Sequence, residues 1–98
     1  MTITKSKENE KLTLALEGRL DTTTAPQLDE ELKISLENIT ELIFDLSKLA
    51  YISSAGLRIL LAAQKLMNQK GSMTVKGANE SIMEIFEITG FSDILTLE

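Results

Sequence analysis

Two serines, Ser53 and Ser54, stand just ahead of a run of apolar residues in the stretch YISSAGLRILL. A serine there can accept a hydrogen bond from the first turn of a helix and cap it, contributing about 1 kcal/mol. It can also carry a phosphate, because a helix amino terminus offers free N–H groups and the positive end of a dipole. A phosphate adds about −1.5 to −2 charges to the surface around it. The small residues Ala55 and Gly56 would leave a serine hydroxyl open to a large partner. Asp21, in GRLDTTT, is the other residue of interest, and its carboxylate would feel a charge placed on a neighbouring serine.

Most catalytic chemistries lack their residues. The chain has no histidine, which excludes a Ser-His-Asp triad and a histidine metal site. It has no cysteine, which excludes disulfides, zinc-thiolate sites and cysteine nucleophiles. Ser-x-x-Lys, the phosphate-binding G-x-x-x-x-G-K-[ST] and the dinucleotide G-x-G-x-x-G do not occur. Among the 15 carboxylates, Asp21 and Asp45 are a pair that could do acid–base work or bind a cation. Caps and solvated charges are the commoner use of such residues. A non-enzymatic protein without a cofactor is expected.

The bulk composition agrees. With 98 residues, 43% apolar and 26% charged, the chain is one globular domain with a single core. A net charge of −5 opposes binding to a phosphate backbone. Its four aromatics, Phe44, Tyr51, Phe86 and Phe91, form no base-stacking platform in sequence. Met1 leads into polar residues, not into a signal peptide, and no apolar stretch approaches the roughly 20 residues of a membrane span. A cytoplasmic protein with neither nucleic acid nor membrane as a partner is expected.

The elements that must position the serines follow from periodicity. LTLAL, residues 12 to 16, alternates as a half-buried strand, and TITKSK before it is a weaker one, with Glu8-Asn9-Glu10 as a hairpin turn. TAPQLDEELKISLENI reads as a helix with Leu28, Leu32 and Leu36 in one stripe, Pro26 in its first turn, and Thr24 and Gln27 as a capping box. ELIFDL, residues 41 to 46, has the continuous apolar centre of an interior strand. A second helix is predicted from about Ser54 to about Lys70, ended by Gly71. SMTVK is a strand. NESIMEIFEITG is a third helix, capped by Asn79, burying Ile82, Ile85 and Phe86 and ended by Gly90, with Phe91 as its apolar C-terminal contact. ILTL is a last strand. The order β-β-α-β-α-β-α-β predicts an α/β domain with a mixed, mostly parallel sheet of about five strands and helices packed against it. In such sheets sites gather at the carboxyl ends of strands. The loops GRLDTTT and SKLAYISSAG emerge there, and Asp21 and Ser54 would meet if their strands are neighbours.

FDLSKLAYISSAGLRILLAAQKL closely resembles the signature segment of STAS domains, the family of bacterial anti-sigma-factor antagonists. GRLDTTTAPQL resembles that family's earlier G-x-L-D segment, and the similarity spans residues 1–98. The resemblance implies partner switching that regulates transcription. The unphosphorylated antagonist binds an anti-sigma factor, a serine kinase of the GHKL ATPase type, and the sigma factor is released. Phosphorylation by that kinase ends the binding, and a PP2C-type phosphatase restores it. Carried over by position, the phosphoacceptor falls on Ser54, with Ser53 as the second choice, because the Asp that often precedes the acceptor is here Ser53. Asp21 matches the family aspartate expected beside it. Thr22, Thr23, Ser53, Ala55, Gly56, Leu57 and Arg58 are implied for the docking surface. The free chain is expected to be a monomer. Family members commonly continue into a fourth helix, and this sequence ends at ILTLE without one. The alternative within the family is a subunit of a larger assembly, such as a lipid-transport ABC complex or a stress-signalling scaffold.

Overall fold

The computed structural model describes residues 1–98. Strand β1 (Thr2–Glu8) and strand β2 (Lys11–Leu20) form an antiparallel hairpin. Asn9, in the left-handed conformation with φ of 57°, makes its turn. Helix α1 (Ala25–Ser35) leads to strand β3 (Glu41–Ile52), and helix α2 (Ser54–Lys70) leads to strand β4 (Ser72–Lys76). Both β2–β3 and β3–β4 are parallel, so the sheet has the order β1-β2-β3-β4 and is mixed and mostly parallel, as expected. Helix α3 (Glu80–Thr89) and a single 3-10 turn at Phe91–Asp93 follow.

The sheet has four strands; the expected fifth is reduced to one bridge between Leu97 and Val75. The reason lies just upstream. The N–H groups of Ile94 and Leu95 both bond back to the Phe91 carbonyl, closing a turn where a ladder would have begun. Helix α1 also ends earlier than its apolar stripe suggests. Asn38 takes φ of 64°, which no helix continues, and Ile39 turns inward as a core residue.

One continuous core holds the fold. Leu12, Leu14, Leu16 and Leu20 of β2 lie beside Leu42, Phe44, Leu46, Leu49 and Ile52 of β3, all at most 2% exposed. Leu28 and Leu32 of α1, Leu60 and Met67 of α2, and Ile82 and Phe86 of α3 complete it. On the opposite face of the sheet Thr13 pairs with Ile43 and Ala15 with Asp45, all half-buried.

Strand β3 runs six residues beyond the ELIFDL segment. It carries one extra residue between the pairs Ala15–Asp45 and Glu17–Lys48, and another between Gly18–Leu49 and Arg19–Tyr51. These bulges change the spacing of its buried residues from two to three: Leu42, Phe44 and Leu46, then Leu49 and Ile52. Asp45 braces the first bulge, its Oδ1 accepting from the Ser47 N–H at 3.0 Å and the Ser47 hydroxyl at 2.7 Å. That hydroxyl is the main cause holding the Asp45 carboxyl below its ordinary value of 3.8, and the Ser47 N–H adds to it. The extra length brings the end of β3 level with the end of β2.

Candidate functional site

The site is built where β2 and β3 end together. Leu20 and Ile52 are register partners, and the Ser53 N–H extends the ladder by donating to the Leu20 carbonyl at 2.9 Å. The next residues on each side, Asp21 and Ser53–Ser54, therefore emerge at the same edge of the sheet. The two loops singled out from the sequence are brought together.

On the β3 side only one of the two serines holds the cap. Ser53 is the N-cap of α2, extended at φ −99° and ψ 176°, and its hydroxyl accepts from the Gly56 N–H at 3.3 Å. It is half-buried. Ser54 is the first helical residue and is exposed. Its hydroxyl is thus presented at the amino end of a 17-residue helix without serving as the cap.

On the β2 side the expected capping box does not form. Thr24 stands at the N-cap of α1 without a cap hydrogen bond from its side chain. Its hydroxyl instead donates to the Arg19 carbonyl at 2.8 Å and accepts from the Asp21 N–H at 2.8 Å, while Gln27 donates to the Met1 carbonyl. Asp21 organises the turn. Its Oδ1 accepts from the Thr23 hydroxyl at 2.7 Å and from the N–H groups of Thr23 at 3.0 Å and Thr24 at 3.1 Å. The Thr23 hydroxyl is the largest cause that lowers the Asp21 carboxyl below its ordinary 3.8; desolvation opposes it and the two N–H groups reinforce it. Asp21 is a fixed negative charge at neutral pH.

The other residues expected at a docking surface separate into two sets. Thr22, Thr23 and Arg58 are exposed and Ala55 is half-buried. Gly56 and Leu57 are buried, because the first turn of α2 seats on Leu20 and Ile52. Both were expected on the docking surface; they lie buried between the exposed Ser54 and Arg58 of the same helix. Asp21 and Asp45 also do not meet. Asp45 lies level with Ala15, six residues before Asp21, a strand length of roughly 15–20 Å. No group of three or more carboxylates could hold a metal ion.

Two residues at this edge were missed from the sequence. Arg19 and Tyr51 are register partners, and the guanidinium lies over the phenol ring, 4.3 Å from its centroid. The signal was available. Arg19 precedes Asp21 by two residues as Tyr51 precedes Ser53, which places them side by side once the strand ends are aligned.

No helix is long and apolar enough to cross a membrane. Comparison with known proteins gives consistent relatives. BtrV of Bordetella bronchiseptica is 35% identical over 96 residues, covering 96% of this chain and 83% of that protein. The anti-sigma-B factor antagonist of Listeria monocytogenes is 29% identical over 96 residues, covering 96% and 84%. The fold matches the phosphorylated form of the Bacillus cell fate determinant SpoIIAA with a TM-score of 0.78 at 15% identity, over 99% of this chain and 91% of that one. The STAS domain family matches residues 2–98, and the chain belongs to that family.

Proposed function

We propose that this chain is an anti-sigma-factor antagonist that works by partner switching. Its unphosphorylated form binds an anti-sigma serine kinase of the GHKL type, which frees a sigma factor. Phosphorylation of Ser54 ends the binding, and a PP2C-type phosphatase reverses it. The observation that carries the reading is the division between the serines: Ser53 holds the cap while Ser54 stands exposed at the amino terminus of α2, on the same edge as Asp21. The names of the relatives support the same role.

The physics of the switch is local. A phosphate on Ser54 adds about −1.5 to −2 charges. The chain already carries −5, and Asp21 emerges at the same strand ends as a fixed anion. The helix terminus tolerates the group, since its N–H groups and dipole favour an anion. The fold is therefore left in place while the surface potential changes under the partner. No catalytic group is needed on this chain, and none is assigned.

The test is binding of a GHKL-type kinase to two variants. Ser54→Ala should bind it and stay bound in the presence of ATP, whereas Ser54→Asp should bind poorly. Equal affinity of the two would refute the switch. Copurification with transporter or scaffold subunits, with Ser54 unmodified, would assign the chain to a larger assembly instead.

A further inference from the structure

Arg19 and Tyr51 lie two residues before Asp21 and Ser53 on the same strand ends. Leu20 and Ile52, which follow them, turn into the core, so Arg19 and Tyr51 face away from it. The guanidinium is held from two directions. It stacks over the Tyr51 ring at 4.3 Å, and its Nε stands 3.7 Å from Asp21 Oδ2. Even so, the Arg19 side chain is 61% exposed and Tyr51 is 39% exposed.

These contacts add little to the fold, because an ion pair of that length in solvent is weak. Their effect is on the shape of the surface. A long, flexible cation is held over an aromatic ring before any partner arrives. The ordering cost that a free arginine would meet on binding is already partly met. The guanidinium edge turned away from Asp21 keeps a planar pair of N–H donors that matches a carboxylate. Arginine and tyrosine are also the residue types most enriched among those that dominate interface energies. On a chain of net charge −5, an acidic group of a partner can approach this edge favourably only where a cation is presented.

We infer that the Arg19–Tyr51 stack anchors the docking surface and takes a surface carboxylate of the anti-sigma kinase on the outer edge of the guanidinium. The inference rests on the proposed function and adds a specificity contact outside both recognition segments' serine and aspartate.

The experiment is a calorimetric titration of the GHKL-type kinase, recovered with the unmodified chain from its own cells and purified. The titrants are the parent chain, Arg19→Ala, Arg19→Lys, Arg19→Glu and Ser54→Asp. Arg19→Ala should bind about 30-fold more weakly or worse, with an unchanged melting temperature. Arg19→Lys should recover little, because an ammonium neither stacks as a plane nor offers a fork. Arg19→Glu should regain binding when one surface Asp or Glu of the kinase is changed to Arg. If Arg19→Ala binds within about two-fold of the parent while Ser54→Asp does not bind, the anchor is overturned and the switch stands. If no reversal on the kinase rescues Arg19→Glu, the carboxylate assignment is overturned. If Ser54→Asp binds like the parent, or no GHKL-type kinase is recovered, the switch falls and the anchor falls with it.

Discussion

Gly56 lies so close to Leu20 that a Cβ on the glycine would stand 2.7 Å from Leu20 Cγ, and 2.9 Å from Ile52 Cγ1. Both neighbours are core side chains, 0% and 2% exposed, and neither atom is the far end of a flexible chain. In an exposed helix a glycine-to-alanine change stabilises by about 1 kcal/mol. Here overpacking, typically about 1–3 kcal/mol, opposes that gain and should win. Gly56→Ala is expected to lower the melting temperature by several degrees, as about 1 kcal/mol does in a domain of this size. A thermal melt followed by circular dichroism checks it. A rise in melting temperature would mean that α2 can lift off the strand ends without cost, and that the seat beneath Ser54 is not rigid.

Ser53 and Ser54 should respond unequally to alanine. Ser53→Ala removes the acceptor of the Gly56 N–H and should cost about 1 kcal/mol. Ser54→Ala changes an exposed position that does not hold the cap, and should stay within about 0.5 kcal/mol of the parent. Urea denaturation of the two variants side by side separates the serine that holds the cap from the one that does not.

Much of this was legible in the sequence, and the illegible parts have physical causes. Strand β2 and helices α2 and α3 follow from their periodicity, and Asn79 does cap α3, accepting from the Ile82 N–H at 2.9 Å. The second half of β3 does not follow, because two bulges replace the period of two with a spacing of three. Position 71, at the end of α2, is glycine for a reason other than a left-handed cap: a Cβ there would stand 1.9 Å from the Thr40 carbonyl oxygen. The pairing of Asp21 with the serines was conditional on strand order, which β2 and β3 satisfy. Which serine caps depends on a one-residue phase that propensity does not resolve. The burial of Gly56 and Leu57 is not legible either, because it depends on the strand ends that the first turn of α2 packs against.

Asp21 should make stability depend on acid. Its folded pKa lies below its ordinary 3.8, so its contribution is present above the unfolded value and is lost as pH falls through the folded one. Glu31 and Asp45 are lowered in the same direction, Glu31 chiefly by the Ser35 hydroxyl. The parent should therefore hold its stability from neutral pH down to about 4–5 and lose it below. Asp21→Asn should be less stable than the parent at neutral pH and should lose less between pH 5 and pH 2, because it has no carboxyl to protonate. Thr23→Val should bring the Asp21 carboxyl back toward 3.8, since the Thr23 hydroxyl is the largest cause of its shift. Carboxyl titration by NMR reads that directly, and an unmoved Asp21 would shift the credit to the backbone N–H groups.

Charge and bulk at Ser54 predict different salt dependences. If a phosphate displaces the partner by repulsion, the loss should weaken as salt screens it, because the screening length falls from about 10 Å at 0.1 M to about 3 Å at 1 M. If the phosphate displaces it by filling a close contact, salt should change little. The position favours charge. Ser54 is exposed at a helix terminus, where the group can turn toward solvent, and Asp21 emerges on the same edge to compound the negative potential. Ser54→Asp should then recover part of its kinase affinity at high salt, relative to Ser54→Ala under the same conditions. Ser54→Asn, similar in size and uncharged, should bind nearly as well as Ser54→Ala. The three affinities, measured by calorimetry at 0.1 M and 0.5 M salt, decide between the two. A Ser54→Asn chain that binds as poorly as Ser54→Asp at both concentrations would assign the displacement to bulk, and would place the Ser54 hydroxyl inside a tightly packed contact rather than at its charged edge.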